Sequence, residues 1–182
     1  MATRKVAVIV GSIRKDSINA KLAKALIKLM PSDVHGELVQ ISDLPVYSQD
    51  LDQNPPDAVL RVKGEVTAAD ALLFITPEHN RSLPTALKNV LDWVSRPYGK
   101  NLWAGKPAAI VGASVGTVGT AVVQQHLRNV LAYLDVPTLG QPEVFIHFTE
   151  GLIDSEGNIT NESTRKFLQS FMDRYVRWIE RF

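Results

Sequence analysis

The sequence of 182 residues contains no cysteine. This absence excludes a disulfide framework, a thiolate metal site and a cysteine nucleophile. The chain also lacks an excess of either charge, since 20 Lys and Arg residues stand against 19 Asp and Glu residues and leave a net charge of +1. Non-specific nucleic-acid binding depends on clustered basic residues, so we expect no nucleic-acid partner.

A long hydrophobic run is missing as well. The apolar run after Lys5 ends at Gly11, well short of the roughly 20 residues that span a bilayer, and no signal-peptide cleavage site follows it. We therefore expect a cytoplasmic protein without membrane insertion. Hydrophobic residues make up 45% of the chain and charged residues 21%, which together with its length predicts one domain over residues 1–182.

Apolar β-branched runs alternate along the chain with residues at helical spacing. The strands are predicted at 6–10, 37–41, 71–75, 107–111 and 144–148, and the helices at 22–30, 58–69, 83–95, 121–134 and from a cap at 160 or 161 to 182. The buried stripe of the last helix is predicted to contain Phe167, Leu168, Phe171, Tyr175 and Trp178. This alternation predicts an α/β fold with a parallel sheet, in which ligands bind beyond the carboxyl ends of the strands.

The loop after the first strand runs from Gly11 to Asn19 and reads GSIRKDSIN. A turn that leaves a buried strand and opens a helix aims backbone N–H groups at one point, which suits an anion. Ser12, Ser17 and Asn19 add side-chain donors, and Arg14 adds a positive charge. The loop matches neither G-x-x-x-x-G-K-[ST] nor G-x-G-x-x-G, so a single phosphate is the expected ligand. The alternative is that Ser17 only caps the helix and Arg14 is solvated.

The loop after the third strand runs from Thr76 to Pro84 and reads TPEHNRSLP. Its polar, proline-flanked backbone could face a planar ring. Glu78 and His79 could form an acid–base pair or could be metal ligands. No second histidine or carboxylate stands at ligand spacing, so we expect no metal. The alternative is an ordinary loop with Asn80 in a turn.

The loop after the fourth strand includes GASVG at 112–116, which matches the G-x-S-x-G pattern of a serine hydrolase. Ser114 would be the nucleophile, with Asp135 or Glu143 as the acid and His147 as the base. Three features oppose this hypothesis. Gly119 and Thr120 delay the helix that should follow an elbow serine directly. In addition, His147 falls within a predicted strand, and no H-G-G-G oxyanion loop is present.

The first two loops, with the continuation ALKNVLDWVSR at 86–96 and GKP at 105–107, resemble the NADPH-dependent FMN reductase family. The family pattern is approximately G-S-x-R-x-x-S-x-N, followed by P-E-Y-N-x-S-x-P-x-x-L-K-N-x-x-D-W, and the resemblance extends to about residue 145. It implies a flavodoxin-like three-layer sandwich, with a five-stranded parallel sheet in the order 2-1-3-4-5 and helices on both faces. Two departures stand out: His79 replaces the usual tyrosine, and residues 117–120 lack the usual double glycine.

The resemblance also implies a bound FMN and a set of residues that bind it. Phosphate binding is implied for Ser12, Arg14, Ser17 and Asn19. Contact with the isoalloxazine side of the cofactor is implied for Pro77, Glu78, His79, Asn80 and Ser82, with Ser114 and Gly116 in the third loop. No protein side chain is expected to be catalytic, because the flavin carries the chemistry.

The implied activity is hydride transfer from NAD(P)H through FMN to small-molecule acceptors in a ping-pong scheme. Quinones are the expected acceptors, with azo compounds, chromate and ferric complexes as further possibilities. The resemblance also implies a homodimer or homotetramer, for which Trp93, Tyr98 and Trp103 are candidate interface aromatics. Core packing would explain Trp93 equally well. A flavodoxin-like electron carrier without a nicotinamide reaction is a third hypothesis, although flavodoxins are usually acidic.

Overall fold

The computed structural model describes residues 3–182 and places an α-helix after each of five β-strands. The elements in chain order are β1 (Arg4–Val10), α1 (Ile18–Lys28), β2 (Val34–Val39), α2 (Asp57–Ala68), β3 (Ala71–Ile75), α3 (Thr85–Val94), β4 (Ala108–Ser114), α4 (Ala121–Tyr133), β5 (Phe145–His147) and α5 (Glu162–Ile179). A short 3₁₀ turn at Gln49–Leu51 interrupts the loop before α2. No helix within residues 3–182 has the length and hydrophobicity needed to cross a membrane.

The five strands form one parallel sheet in the order β2-β1-β3-β4-β5. This result confirms the predicted flavodoxin-like architecture. The chain moves outward in one direction from β1 to β2 and in the other from β3 to β5, so the strand order reverses between β1 and β3. A crevice at such a reversal, beyond the carboxyl ends of the strands, is where open α/β sheets bind ligands.

The sheet is covered on both faces, as the alternating side chains of β1 illustrate. Val6, Val8 and Val10 pack into a core with α1 and α5, whereas Ala7 and Ile9 pack into a second core with α2, α3 and α4. Successive side chains of a strand point to opposite faces. A strand that is apolar at every position is therefore buried on both sides, and the three-layer arrangement follows.

Four predicted strands require corrected boundaries. The β1 strand begins at Arg4 instead of residue 6, because its first two residues pair with β2. The β2 strand occupies Val34–Val39 instead of 37–41, because its ends are determined by pairing with β1 from Arg4 to Ile9. The β4 strand continues to residue 114 instead of ending at 111, because its last three residues pair with β5. The β5 strand is shorter by one residue at each end.

The last helix begins as predicted but differs in its buried face. Asn161 is the N-cap, and its side chain accepts a hydrogen bond from the Thr164 backbone N–H at 2.9 Å. Leu168 is buried, whereas Phe167 is 41% exposed, so the prediction that Phe167 packs inward was wrong. Neighbouring residues lie about 100° apart around a helix, and the buried stripe follows Leu168, not the residue before it.

Two of the three candidate interface aromatics belong to the core. The side chains of Trp93 and Trp103 are essentially unexposed. Their indole N–H groups donate to the carbonyls of Pro45 at 2.7 Å and Leu91 at 3.1 Å. Burial therefore decides for the core alternative at Trp93, and the interface interpretation was wrong for Trp103. Tyr98 is 85% exposed and stays a candidate.

Candidate functional site

The loops after β1, β3 and β4 meet around a cavity of about 600 Å³ at the carboxyl edge of the sheet. This volume lies within the usual range of about 300–1,000 Å³ for small-molecule sites. The lining residues are Gly11, Ser12, Ile13, Arg14, Ser17, Ile18, Asn19, Pro77, Glu78, His79, Pro84, Thr85, Ala86, Ala113, Ser114 and Val115. The cavity therefore brings together eight of the eleven predicted binding residues, and Asn80, Ser82 and Gly116 lie outside its lining.

The first loop directs the amino terminus of α1 at the cavity. Ser17 is the N-cap, and its hydroxyl oxygen accepts a hydrogen bond from the Ala20 backbone N–H at 3.2 Å. The hydroxyl proton of Ser17 is still free to donate to a ligand. Arg14 is exposed and lines the same cavity. A helix amino terminus, hydroxyl donors and a guanidinium group together form a site that is suited to an anion.

Asn19 joins the first loop to the third. Its side-chain amide donates to the Ala113 carbonyl at 2.9 Å, and its side-chain oxygen accepts from the Ala113 N–H at 2.9 Å. Asn19 is 1% exposed, so both bonds are shielded from water. This link between α1 and β4 was missed by the sequence reasoning, because the two segments lie 94 residues apart and no local pattern relates them.

The second loop closes in a tight hairpin. The His79 N–H donates to the Ser82 carbonyl at 3.1 Å, and the Ser82 N–H donates to the His79 carbonyl at 2.8 Å. The two residues between them, Asn80 and Arg81, have φ values of 49° and 62°, as a type I′ turn requires. The hairpin leaves His79 on the cavity and carries Asn80 to an exposed position at the tip.

Glu78 is the buried carboxylate of the second loop. Its side chain is 8% exposed. One oxygen, Oε2, accepts a hydrogen bond from the Val123 backbone N–H at 3.0 Å, and Oε1 accepts one from Arg81 Nη1 at 3.2 Å. The contact with Val123, in the first turn of α4, was not predicted from the sequence.

In the third loop, the serine of the GASVG segment stands at the end of a strand. Ser114 is the last residue of β4, and its hydroxyl oxygen accepts a hydrogen bond from the Gly116 N–H at 3.0 Å. Gly112 lies within the strand, where an added Cβ would clash with the Thr120 hydroxyl and the Thr76 carbonyl. Packing against neighbouring segments therefore requires glycine at position 112. The match to G-x-S-x-G has this structural cause and does not indicate a nucleophile elbow.

The serine-hydrolase triad does not assemble. Ser114 and His147 are register partners on adjacent strands, yet no hydrogen bond joins their side chains within residues 3–182. Asp135 follows the carboxyl end of α4, where its carbonyl accepts from the Gly105 N–H. Glu143 accepts from the Gln125 side chain. Neither acid supports His147, so the geometry opposes the hydrolase hypothesis.

Comparisons with known proteins find a family and several similar sequences. The family model described as NADPH-dependent FMN reductase matches residues 4–151. The chain is 53% identical over 175 residues to a 2-hydroxy-1,4-benzoquinone reductase of a Burkholderia species, with 96% of each sequence covered. It is 45% identical over 176 residues to a quinone reductase of Pseudomonas putida, which covers 96% of this chain and 94% of the relative.

A solved structure is similar over nearly the whole chain. FerB, a flavoenzyme NAD(P)H:(acceptor) oxidoreductase from Paracoccus denitrificans, superposes with a TM-score of 0.94 at 46% sequence identity. The match covers 98% of this chain and 98% of FerB. The apo NADH:FMN oxidoreductase EMOB superposes with a TM-score of 0.71 at 21% identity and supports the fold alone.

Proposed function

The chain belongs to the NADPH-dependent FMN reductase family, and we propose that it passes a hydride from NAD(P)H through bound FMN to quinones. The coarse activity, an NAD(P)H-dependent flavin reductase, follows from the family. The observation that carries the finer proposal is the convergence of the loops after β1, β3 and β4 on one cavity. Such a cavity can take a phosphate at one side and an aromatic ring at the other.

The residues of the first loop fit the phosphate of FMN. Ser12, Ser17 and the amino terminus of α1 supply neutral donors, and Arg14 supplies a positive charge. These groups are aimed at the cavity without a carboxylate among them. We propose that they hold the phosphate, while Asn19 keeps the first loop fixed against Ala113.

The second and third loops fit a planar ring. Pro77 and His79 line one part of the cavity, and Ser114 and Val115 line another. When bound, FMN supplies the redox chemistry by accepting a hydride and passing electrons on. Backbone N–H groups close to the ring would stabilise negative charge as it develops on reduction. The role of the protein is to orient the ring and to leave one face open.

Quinones are the proposed acceptors because two relatives are named as quinone reductases. The Burkholderia relative acts, by its name, on a hydroxylated benzoquinone, which directs the first assays to small benzoquinones. Azo compounds, chromate and ferric complexes are secondary candidates. Since donor and acceptor would use the same cavity, they would bind alternately, and a ping-pong pattern is expected. We also propose a homodimer or homotetramer, with Tyr98 at a contact between copies.

The decisive experiment is a visible spectrum of the purified protein loaded with FMN, followed by anaerobic titration with NADPH or NADH. We expect flavin absorbance that is bleached by the nicotinamide and restored by a benzoquinone. Protein that stays colourless after loading would overturn the proposal. Flavin that is bound but not reduced by either nicotinamide would favour the electron-carrier hypothesis.

A matched pair of variants tests the phosphate role of Arg14. Arg14→Ala should weaken FMN binding about tenfold, as expected when one charged hydrogen bond of about 1.5 kcal/mol is lost. Lys15→Ala removes the neighbouring exposed charge, which does not line the cavity, and should leave FMN affinity unchanged. Equal effects of the two substitutions would show that only the overall charge of the loop matters.

A further inference from the structure

We propose that the Glu78 side chain is a positioning group that locks the second loop to α4 and does not itself contact FMN. The inference rests on the proposed function, because it concerns how the flavin loops are held. Both carboxylate oxygens are already engaged, one by the Val123 N–H at 3.0 Å and the other by Arg81 at 3.2 Å. Only 8% of the side chain is exposed, so little of it is accessible from the cavity that Glu78 lines.

The amino terminus of α4 depends on this carboxylate. Thr120 is at the N-cap position but makes no side-chain capping bond. Its hydroxyl oxygen instead accepts a hydrogen bond from Gln124 Nε2 at 3.0 Å. The first turn of a helix has N–H groups without partners in the helix. Glu78 satisfies the one at Val123 and places a negative charge at the positive end of the helix dipole.

A second contact ties the same loop to the same helix. The hydroxyl of Ser82 and Nδ1 of His126 lie 3.2 Å apart and share a hydrogen bond. Ser82 in turn pairs with the His79 backbone through two hydrogen bonds across the hairpin. His79, which lines the cavity, is therefore held relative to α4 from two sides, by Glu78 before it and Ser82 after it.

The third loop ends where α4 begins. Residues 115–120 connect β4 directly to the helix, and Val115 lines the cavity. A movement of the first turn of α4 would therefore displace the third loop. Because Glu78 links that turn to the second loop, it keeps both flavin-facing loops in one fixed arrangement.

The ion pair with Arg81 has a smaller role. The Arg81 side chain is 66% exposed, and exposed ion pairs contribute little to stability. The two partners of Glu78 therefore have different roles. The buried bond to Val123 controls loop position, and the exposed bond to Arg81 does not. A variant of each partner can test this separation.

The test compares FMN affinity and flavin midpoint potential among four proteins. Glu78→Ala should weaken FMN binding about tenfold, within the range of roughly two- to thirtyfold that corresponds to loss of one helix cap. Its midpoint potential should move toward that of free FMN. Glu78→Gln keeps an oxygen that can accept from Val123, so its affinity should stay within about threefold of the wild type. Arg81→Ala should match the wild type in both measurements.

A remote cap controls for simple loss of stability. Asn161 caps α5 through the same kind of bond, with its side chain accepting from the Thr164 N–H at 2.9 Å, but it does not line the cavity. Asn161→Ala should lower the urea midpoint to a similar extent as Glu78→Ala and leave FMN affinity and potential unchanged. If Glu78→Ala also leaves both flavin measurements unchanged, the inference is overturned.

Two further outcomes are distinguishable. Should Glu78→Ala fail to fold, Glu78→Asp replaces it, because aspartate keeps the charge but reaches less far. We expect several-fold weaker FMN binding for Glu78→Asp, and wild-type affinity would refute the positioning role. If the wild-type protein does not bind FMN at all, the proposed function fails first, independently of any variant.

Discussion

Replacing Gly112 by alanine is a stringent test of why the GASVG segment contains two glycines. An alanine Cβ at position 112 would lie 2.8 Å from the Thr120 Cβ and would clash with both the Thr120 hydroxyl and the Thr76 carbonyl. The Thr76 carbonyl is backbone and cannot rotate away. The contact at Gly116 is different, because its nearest neighbour is the Ser114 hydroxyl oxygen at an ordinary 3.5 Å.

The magnitudes follow from two opposing effects. Overpacking a tightly packed site costs about 1–3 kcal/mol. Replacing glycine by alanine also stabilises the protein by about 0.4–1 kcal/mol, because it lowers the conformational entropy of the unfolded chain. For Gly112→Ala we expect the packing cost to prevail, with the free energy of unfolding lowered by about 2 kcal/mol. For Gly116→Ala we expect a gain of about 0.4–1 kcal/mol, because no overpacking opposes the effect on the unfolded state.

Urea denaturation of the protein without FMN measures both effects directly. With a slope of about 2 kcal/mol per molar urea for a chain of this size, the Gly112→Ala midpoint should fall by about 1 M. The Gly116→Ala midpoint should rise by about 0.2–0.5 M. If GASVG were a nucleophile elbow, both glycines would be needed for the same sharp turn, and both substitutions would lower the urea midpoint. An unchanged midpoint for Gly112→Ala, or equal losses for the two variants, would refute the packing argument.

Three further predictions concern buried groups. Asn19→Ala leaves the Ala113 N–H and carbonyl without buried partners and should lower the unfolding free energy by about 2–5 kcal/mol in urea. Phe171→Ala should lower the free energy of unfolding by about 3–5 kcal/mol and Phe167→Ala by less than about 1 kcal/mol, because only Phe171 is buried. Equal urea midpoints for the two variants would contradict the assigned buried face of α5. Burial raises the pKa of Tyr175 well above 10.0, so the folded state keeps a proton that the unfolded chain releases. Stability should therefore fall as the pH rises above about 10, and part of that fall should disappear in Tyr175→Phe when unfolding is followed from pH 8 to 11.

The sheet could be predicted from the sequence because its strands are buried on both faces. Ala71–Ile75 is apolar at every position, and its predicted bounds agree with the structure. The edge strand β2 was displaced in the prediction by three residues at its start, because only one side of it pairs and its apolar pattern is broken. Local pattern is a good guide where burial is complete, and a poor one where pairing with a neighbour determines the ends.

The candidate site shows the same division between local and distant information. Arg14 and Ser17 could be selected from one loop, because a turn between a strand and a helix has a known geometry. The bonds of Asn19 to Ala113 and of Glu78 to Val123 could not be predicted, since these partners lie 94 and 45 residues away. Trp93 and Trp103 illustrate the converse, because large aromatic side chains fit both a core and an interface, and only their burial in the folded chain decides between the two.

The sequence by itself determined the alternation of strands and helices, the three loops at one edge of the sheet and the family to which they point. These features depend on local periodicity and on contiguous patterns such as GSIRKDSIN. Only the tertiary structure decided the role of the GASVG segment. Gly112 is a glycine because Thr76 and Thr120 approach it from other segments, and Ser114 bonds to its own loop instead of a histidine. Contacts between distant segments have no signature in a single sequence, and they decide whether a serine belongs to a catalytic triad or to the wall of a cavity.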